Sequence, residues 1–322
     1  MVQRYRCCHC GRRFSDQTFR TSYWLKRPDL LPHIFHQLLS CAAFRQIARH
    51  YRIAPATVLT HAARLGRHCL LFHELLRPHA LEPAVVLDSF ISFEHSQFYP
   101  TAFHLVAGSH SHFFYGFTDS ELRRSGRMTQ RQRSRRAWLE ARHGRPHPRS
   151  TEHQVLALLQ LLAPRPQPLL LHSDEHHDYP RALRHLPHLE VTHRVTSSRI
   201  PRTRHNPLFP VNLLDLLIRH SGANHKRETI AFSKRRQSAA ERLWILVVWR
   251  NYIKSFSEQK RNATPAMRLG LLSRPLAVAE VLKRRLFPGW FQVPERWMTY
   301  YRREVPTRRI PNGTRHCLRY AF

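Results

Sequence analysis

The stretch LLLHSDEHHDY, residues 169–179, ends an apolar run on a Ser–Asp pair and then turns polar. A second run, AVVLDSF at residues 84–90, places Asp88 directly after four apolar residues. Short apolar runs bounded by polar residues are typical of buried strands in α/β proteins. An acid at the carboxyl end of such a strand faces the sheet-edge crevice where these proteins carry their chemistry. We therefore expect Asp88 and Asp174 to end two neighbouring strands.

The pattern on either side of these two runs predicts an α/β fold. Residues 101–108 and 112–117 are typical of two strands joined by a polar turn, and residues 151–163 of an amphipathic helix. Strands that come first, followed by a helix–strand–helix–strand order, predict a mixed sheet with helices on its faces. We expect this sheet to be preceded by a small all-α module.

Changes in composition divide the sequence into four predicted parts. These are a cysteine-bearing segment at residues 1–20, a helix–turn–helix domain at 21–80, an α/β domain at 81–255 with a basic insertion at 118–150, and a basic tail at 256–322. The insertion holds ten arginines and is interpreted as a phosphate-facing arm. The alternative is a disordered charged loop, which would also serve binding.

Two short helical patterns precede the sheet. Residues 44–51 place apolar side chains at i, i+3, i+4 and i+7, residues 52–55 interrupt that period, and a second helix follows. Two short helices joined by a tight turn are the layout of a helix–turn–helix DNA reader. The side chains expected to face DNA from the second helix are Thr57, Thr60, His61, Arg64 and Arg67. The alternative is an ordinary helical hairpin.

The charge of the chain indicates the class of its partner. Lys and Arg number 53 against 21 Asp and Glu, which gives a formal charge of +32 and a pI near 11.4. Such a balance favours a polyanion, and DNA is the expected partner, although an arginine-rich coding bias is the alternative. No apolar run approaches the roughly 20 residues that cross a bilayer, so no membrane partner is expected. The P-loop and dinucleotide-binding glycine motifs do not occur in the sequence.

The first residues resemble half of a zinc ribbon. Cys7 and Cys10 have C-x-x-C spacing and Gly11 follows at once, as in a zinc knuckle. Structural zinc needs four ligands, and the only other candidates are Cys8, His9 and Cys41, none of them at a typical spacing. We therefore expect an incomplete zinc site. Six cysteines in a chain of 322 residues favour reduced thiols and a cytoplasmic protein over a disulfide framework.

Paired carboxylates in a basic protein indicate a metal site. Asp88 and Asp174 would offer the oxygen ligands that Mg²⁺ or Mn²⁺ prefers, and two such metals promote in-line displacement at a phosphodiester. The best third acid is Asp215, because it lies three residues after Asn212 on one helical face, and the competitor is Glu228. Arg219, one turn further on, would hold that carboxylate or contact DNA phosphate. The histidines around Asp174 are His172, His176 and His177, and in a chain with 25 histidines such a cluster is expected by chance.

Taken in order, several motifs resemble those of a bacterial insertion-sequence transposase. They are CCHCGRRFSD (7–16), FRQIARHYRIAPATV (44–58), VVLDSF (85–90), LLHSDEHHDY (170–179) and NLLDLLIRHSGANHKRETIAFSKRR (212–236). The resemblance covers residues 4–255 and is to the RNase H-like type, which carries an Asp-Asp-Glu or Asp-Asp-Asp triad. It implies an RNase H-like mixed sheet, with Asp88 and Asp174 binding magnesium and Asp215 closing the triad. Asp215 departs from the commoner Glu, and the family's usual upstream C-x-x-C pair is not in this sequence.

The resemblance also implies an activity, namely metal-dependent DNA strand cleavage followed by strand transfer of an insertion sequence. The implied partners are element ends and target DNA, bound by a homo-oligomer, and the implied location is the cytoplasm, at the nucleoid. Two alternatives remain open: a non-catalytic DNA-binding regulator derived from a decayed transposase, and a nuclease or resolvase on the same core. A regulator would not need Asp88 or Asp174, and a nuclease would cut strands without joining them.

Overall fold

The computed structural model describes residues 2–259, 263–290 and 292–310. Two short strands, β1 (Arg4–Arg6) and β2 (Arg13–Ser15), form an N-terminal hairpin. The central sheet contains β3 (Ala84–Phe93), β4 (Pro100–Gly108), β5 (Phe114–Glu121), β6 (Gln167–Ser173) and β7 (Leu189–Val195). Its spatial order is β5-β4-β3-β6-β7, with antiparallel pairs from β5 to β3 and parallel pairs from β3 to β7. The predicted mixed α/β fold is confirmed.

Eleven α-helices surround this sheet within the described residues. They are α1 (Leu30–Leu39), α2 (Phe44–His50), α3 (Pro55–Leu76), α4 (Gln130–His143), α5 (Ser150–Leu162), α6 (Asp178–Leu183), α7 (Phe209–Ser221), α8 (Arg236–Val248), α9 (Pro265–Arg268), α10 (Val278–Lys283) and α11 (Glu295–Tyr301). A π-helical turn, Trp249–Ile253, extends α8. No helix in this part of the chain is both long and apolar enough to cross a membrane.

Helices cover both faces of the sheet. On β5, the hydroxyl of Thr118 donates to the Gln154 carbonyl of α5, while the ring of Phe117 lies 4.6 Å from that of Trp244 in α8. Successive side chains of a strand point to opposite faces, so α5 and α8 lie on opposite sides of the sheet. The α7 helix packs against β3 and β4.

The second helix of the predicted helix–turn–helix is not short. It continues as α3 for 22 residues and packs along α8. Gly66 shows how close the two helices come, because a Cβ at this position would lie 2.5 Å from the Glu241 carbonyl oxygen. The N-terminal helices therefore share one hydrophobic core with the sheet, which the predicted division at residue 80 did not foresee.

The segment predicted as a basic tail, residues 256–322, is part of the core over its described residues. Trp297 and Tyr301 of α11 are fully buried. Arg296 of the same helix bonds Asp119 of β5 at 2.6 Å, and Arg236 of α8 lies 3.0 Å from that carboxylate. Buried apolar and ionic contacts thus fix this segment to the sheet. Residues 311–322 of the predicted tail lie outside the described residues.

Candidate active site

Asp88 and Asp174 lie on adjacent parallel strands. Val86 of β3 pairs with His172 of β6, and the same register carried two residues further brings Asp88 beside Asp174. Asp174 directly follows the end of β6, as predicted. Asp88 does not end its strand, because β3 continues to Phe93 through antiparallel pairing with β4. The prediction of a strand end at Asp88 was wrong, because the residues after it have mixed polarity and are held in the strand by pairing with β4.

The environment of Asp88 opposes its ionisation. The pKa of Asp88 is raised to about 7, mainly by burial and also by the negative charges of Asp174 and Asp215, while a hydrogen bond from the Ser89 N–H (2.7 Å) and the exposed Arg202 act in the opposite direction. The charges of Asp174 and Asp215 thus act on Asp88 in the same direction, as nearby like charges do. An accumulation of this kind is stabilised by a cation.

A tight turn holds Asp174. Its Oδ1 accepts a hydrogen bond from the backbone N–H of His176 at 3.0 Å, and the Ser173 hydroxyl donates to its carbonyl at 2.8 Å. The rings of His176 and His177 stack at 4.9 Å, and His176 also lies 5.1 Å from the ring of Tyr179. These contacts direct the Asp174 side chain without occupying both of its oxygens.

Asp215 of α7 is held by Arg219. The Nε of Arg219 lies 3.1 Å from both carboxylate oxygens. Of the two roles expected for Arg219, holding this carboxylate or contacting DNA phosphate, the side chain has the first. Glu228, the competing third acid, is exposed in the loop between α7 and α8, and no ion pair among the described residues includes it. Asp215 is therefore the candidate third acid whose charge raises the pKa of Asp88.

A chain of buried hydrogen bonds supports β3 from the opposite face. The His104 imidazole lies 2.6 Å from the Ser89 hydroxyl through Nδ1 and 2.9 Å from the Ser120 hydroxyl through Nε2. Ser89 also lies 2.9 Å from the Tyr179 hydroxyl. Burial lowers the pKa of His104 to about 3, so the ring is neutral and links one donor and one acceptor. The sequence analysis did not predict these hydrogen bonds. Polar residues within otherwise apolar strands were the pattern that could have indicated them.

The donors at this site suit a divalent cation. Mg²⁺ commonly takes one or two carboxylates and completes its shell with water and substrate phosphate oxygens, which Asp88 and Asp174 would allow. Among the described residues, no group of three or more His, Cys, Asp or Glu side chains is arranged to hold a metal. The ion pair between Arg219 and Asp215 is consistent with this, because the third carboxylate already has a cationic partner.

The cysteine turn has the shape of a zinc knuckle without further ligands. Cys7 N–H bonds the Arg12 carbonyl at 2.8 Å, and Gly11, with φ of +67°, returns its N–H to the Cys7 carbonyl. Backbone hydrogen bonds from Cys10 and then His9 lower the pKa of the Cys7 thiol. Among the described residues no group of three or more possible ligands is arranged for a metal, and the incomplete zinc site at Cys7 and Cys10, with Cys8, His9 or Cys41 as further candidates, stays a prediction.

The helix pair exposes other residues than predicted. His61 and Arg67 are 3% and 6% exposed, so their assignment to the outer face of the second helix was wrong. Arg64 is half-buried and donates to the carbonyls of Thr21 and Tyr23. The N-terminal segment 21–27 covers His61 and Arg64, since the His61 ring lies 3.4 Å from the Arg27 carbonyl, and Arg67 lies beside the Tyr301 ring of α11. Thr57 is half-buried and Thr60 is exposed, and the exposed arginines are Arg45, Arg49 and Arg52, on α2 and the turn that follows.

Comparison with known proteins gives little similarity. No family model and no curated protein matches this sequence. Among solved structures, the chain is similar to the cryoEM structure of simian T-cell lymphotropic virus intasome in complex with PP2A regulatory subunit B56 gamma, with 13% identity, a TM-score of 0.27, and 76% of this chain and 74% of that chain covered. A likeness this distant leaves the site to be judged on its own geometry.

Proposed function

We propose that this protein is a DNA transposase that cleaves and transfers DNA strands with the help of a divalent metal. The observation that carries the proposal is the position of Asp88 on β3 and of Asp174 directly after the adjacent parallel strand β6, with the charge of Asp215 acting on Asp88, in a chain of net charge +32. Carboxylates gathered beside a bound DNA phosphate would repel it without a cation. Their grouping in so basic a protein therefore supports metal-dependent chemistry on a phosphodiester.

The residues of the chain have distinct tasks in this proposal. Asp88 and Asp174 hold Mg²⁺ or Mn²⁺, whose chemistry is to activate an attacking oxygen and stabilise charge on the phosphate. Arg219 orients Asp215, and the Ser89–His104–Ser120 hydrogen bonds keep β3 rigid beside Asp88. A zinc ion is not required at Cys7 and Cys10.

The reaction has two displacements at phosphorus. Water attacks the phosphodiester at an element end and releases a 3′-hydroxyl. That hydroxyl then attacks a target phosphodiester, forming one bond to phosphorus while the target strand's 3′-oxygen leaves with a proton. Exposed arginines bind the DNA backbone, and a homo-oligomer brings element ends and target together. We place this activity in the cytoplasm, at the nucleoid.

Strand-transfer assays with Mg²⁺ and labelled end sequences test the proposal. Asp88→Asn and Asp174→Asn should abolish cleavage and joining while DNA binding persists. The matched control is Asp29→Asn, because Asp29 is a surface carboxylate paired with Arg27 and should keep full activity. Unchanged function in both active-site variants would favour a DNA-binding regulator. Cleavage without joining would favour a nuclease or resolvase.

A further inference from the structure

Helix α4 in the basic insertion presents an arginine-rich face interrupted by one aromatic ring. Arg131, Arg135, Trp138 and Arg142 follow one another at i, i+4, i+7 and i+11, and all four are exposed. Residues at this spacing lie on one face of a helix. Trp138 is 46% exposed, which is unusual for a side chain with so much apolar surface.

The opposite side of α4 is fixed to the protein. Leu139 is the only buried residue of the helix. Glu140, the helix's single acid, is bonded by Arg123 at 2.9 Å and lies 3.6 Å from Arg136. Arg136 also donates to the Arg124 carbonyl at 2.8 Å. The one acid is thus neutralised on the inner side, and the outer face keeps its positive charge.

Trp138 lies between two guanidinium groups. The Cζ of Arg135 is 4.3 Å from the Trp138 ring centroid, and that of Arg142 is 5.5 Å away. Aromatic rings and guanidinium planes are the groups on which unpaired bases stack, and the same arginines neutralise the flanking phosphates. The charge of the face argues against an apolar or cationic partner.

A cavity lies between the segments that flank α4 and the turn that follows Asp174. This cavity of about 190 Å³ is lined by Arg123 and Arg145, which flank α4, and by His176 and His177, which follow Asp174. The same His176 N–H holds the Asp174 carboxylate. Arg123 and Arg145 thus place positive charge between the turn after Asp174 and α4.

We propose that Trp138, flanked by Arg135 and Arg142, stacks on an unpaired base of a DNA strand that leaves the active site. This inference rests on the proposed function and adds a ligand class, namely DNA ends that carry unpaired nucleotides. Arg131 extends the contact along the backbone. Duplex DNA without an unpaired base engages the arginines alone.

Equilibrium binding of the full chain in EDTA tests this inference, because no strand can be cut under these conditions. The probes are a blunt duplex and the same duplex with a short unpaired extension at either end. The wild type should bind the extended duplex more tightly. Trp138→Ala should weaken binding to the extended duplex by about 5- to 100-fold, as expected for loss of one stacked base, and should leave the blunt duplex nearly unchanged.

Two variants serve as controls. Trp138→Phe should keep most of the preference, since a benzene ring still stacks. Trp290→Ala removes another exposed tryptophan, 58% exposed and far along the chain, and should leave both affinities unchanged. Equal weakening on both duplexes after Trp138→Ala, or no weakening on either, would overturn the inference. A changed sedimentation coefficient with an unchanged preference would overturn it in favour of a protein interface.

A cleavage assay distinguishes failure of the proposed function from failure of the base-stacking inference. Asp88→Asn should keep the wild-type preference for the extended duplex, because it leaves α4 untouched. If that variant also cleaves DNA like the wild type, the catalytic assignment fails while the base-stacking inference stands. A lost preference in Trp138→Ala with normal cleavage by the wild type supports both.

Discussion

The Nε of Arg219 lies 3.1 Å from both carboxylate oxygens of Asp215, one helical turn earlier on α7. The remaining guanidinium nitrogens of Arg219 donate to the His225 carbonyl at 3.2 Å and the Ile91 carbonyl at 3.4 Å, and its Cζ lies 5.7 Å from the Phe90 ring. A single arginine thus connects the third acid, the edge of β3 and the loop after α7. Its planar fork suits this multiple contact better than a lysine would.

Asp215 rather than Glu228 should be essential for strand cleavage. Asp215→Asn removes a carboxylate whose charge acts on Asp88, so cleavage should be lost while the basic surface still binds DNA. Glu228→Gln changes an exposed loop residue and should keep most activity. Cleavage rates and DNA dissociation constants of both variants measure this. Activity in Asp215→Asn together with inactive Glu228→Gln would move the third acid to the loop.

Arg219→Lys should reduce cleavage although it preserves the charge. The lysine ammonium cannot bond Asp215, Ile91 and His225 together, and loss of partners that orient ligands commonly costs about 10- to 100-fold in activity or metal affinity. Titration of cleavage against Mg²⁺ should show a higher metal requirement. Arg227→Lys, in the exposed loop, is the matched control and should behave as the wild type. An unchanged Mg²⁺ requirement in Arg219→Lys would show that Asp215 needs no orientation.

His104 should contribute to the loss of stability in acid. Burial lowers its pKa to about 3, below the unfolded value of about 6.5, so the unfolded chain binds one more proton between these pH values. The free energy of unfolding therefore falls as the pH is lowered through this window and is fully recovered above 6.5. In His104→Gln the slope should decrease by about 1.4 kcal/mol per pH unit, measured by denaturant unfolding from pH 4 to 7. An equal slope in both proteins would show that His104 does not titrate on unfolding.

Exposed arginines on α2 should support DNA binding, whereas the buried arginine on α3 should support the stability of the fold. Arg45→Ala and Arg49→Ala change exposed side chains, so each should weaken DNA binding and reduce the salt-dependence slope by about 1 if it contacts phosphate. Arg67→Ala should instead destabilise the fold, because this buried guanidinium lies 5.9 Å from the Tyr301 ring. Fluorescence anisotropy at several salt concentrations and thermal melting separate the two effects. If Arg67→Ala had normal stability and weakened DNA binding, Arg67 would face DNA from the second helix, as the sequence predicted.

The order of strands and helices follows from local patterns, so the mixed sheet was accessible from the sequence. Apolar runs end at Asp88 and Asp174 in the sequence. These two acids could therefore be named as candidate metal ligands without tertiary information. The length of β3 was not accessible, because pairing with β4 extends it past Asp88 through residues of mixed polarity. Propensity at such residues is weaker than the hydrogen bonds that a neighbouring strand provides.

The sequence by itself determined the strand–acid motifs, the charge of the chain and the candidate third acid at Asp215. Only the tertiary structure decided which cations are exposed, because Arg67 is buried beside Tyr301 of α11 and the His61 ring lies against the Arg27 carbonyl. It also decided that Arg219 binds Asp215 and that His104 supports β3 from the opposite face. Helical periodicity identifies a face of a helix, whereas the partner that covers this face is set by long-range packing.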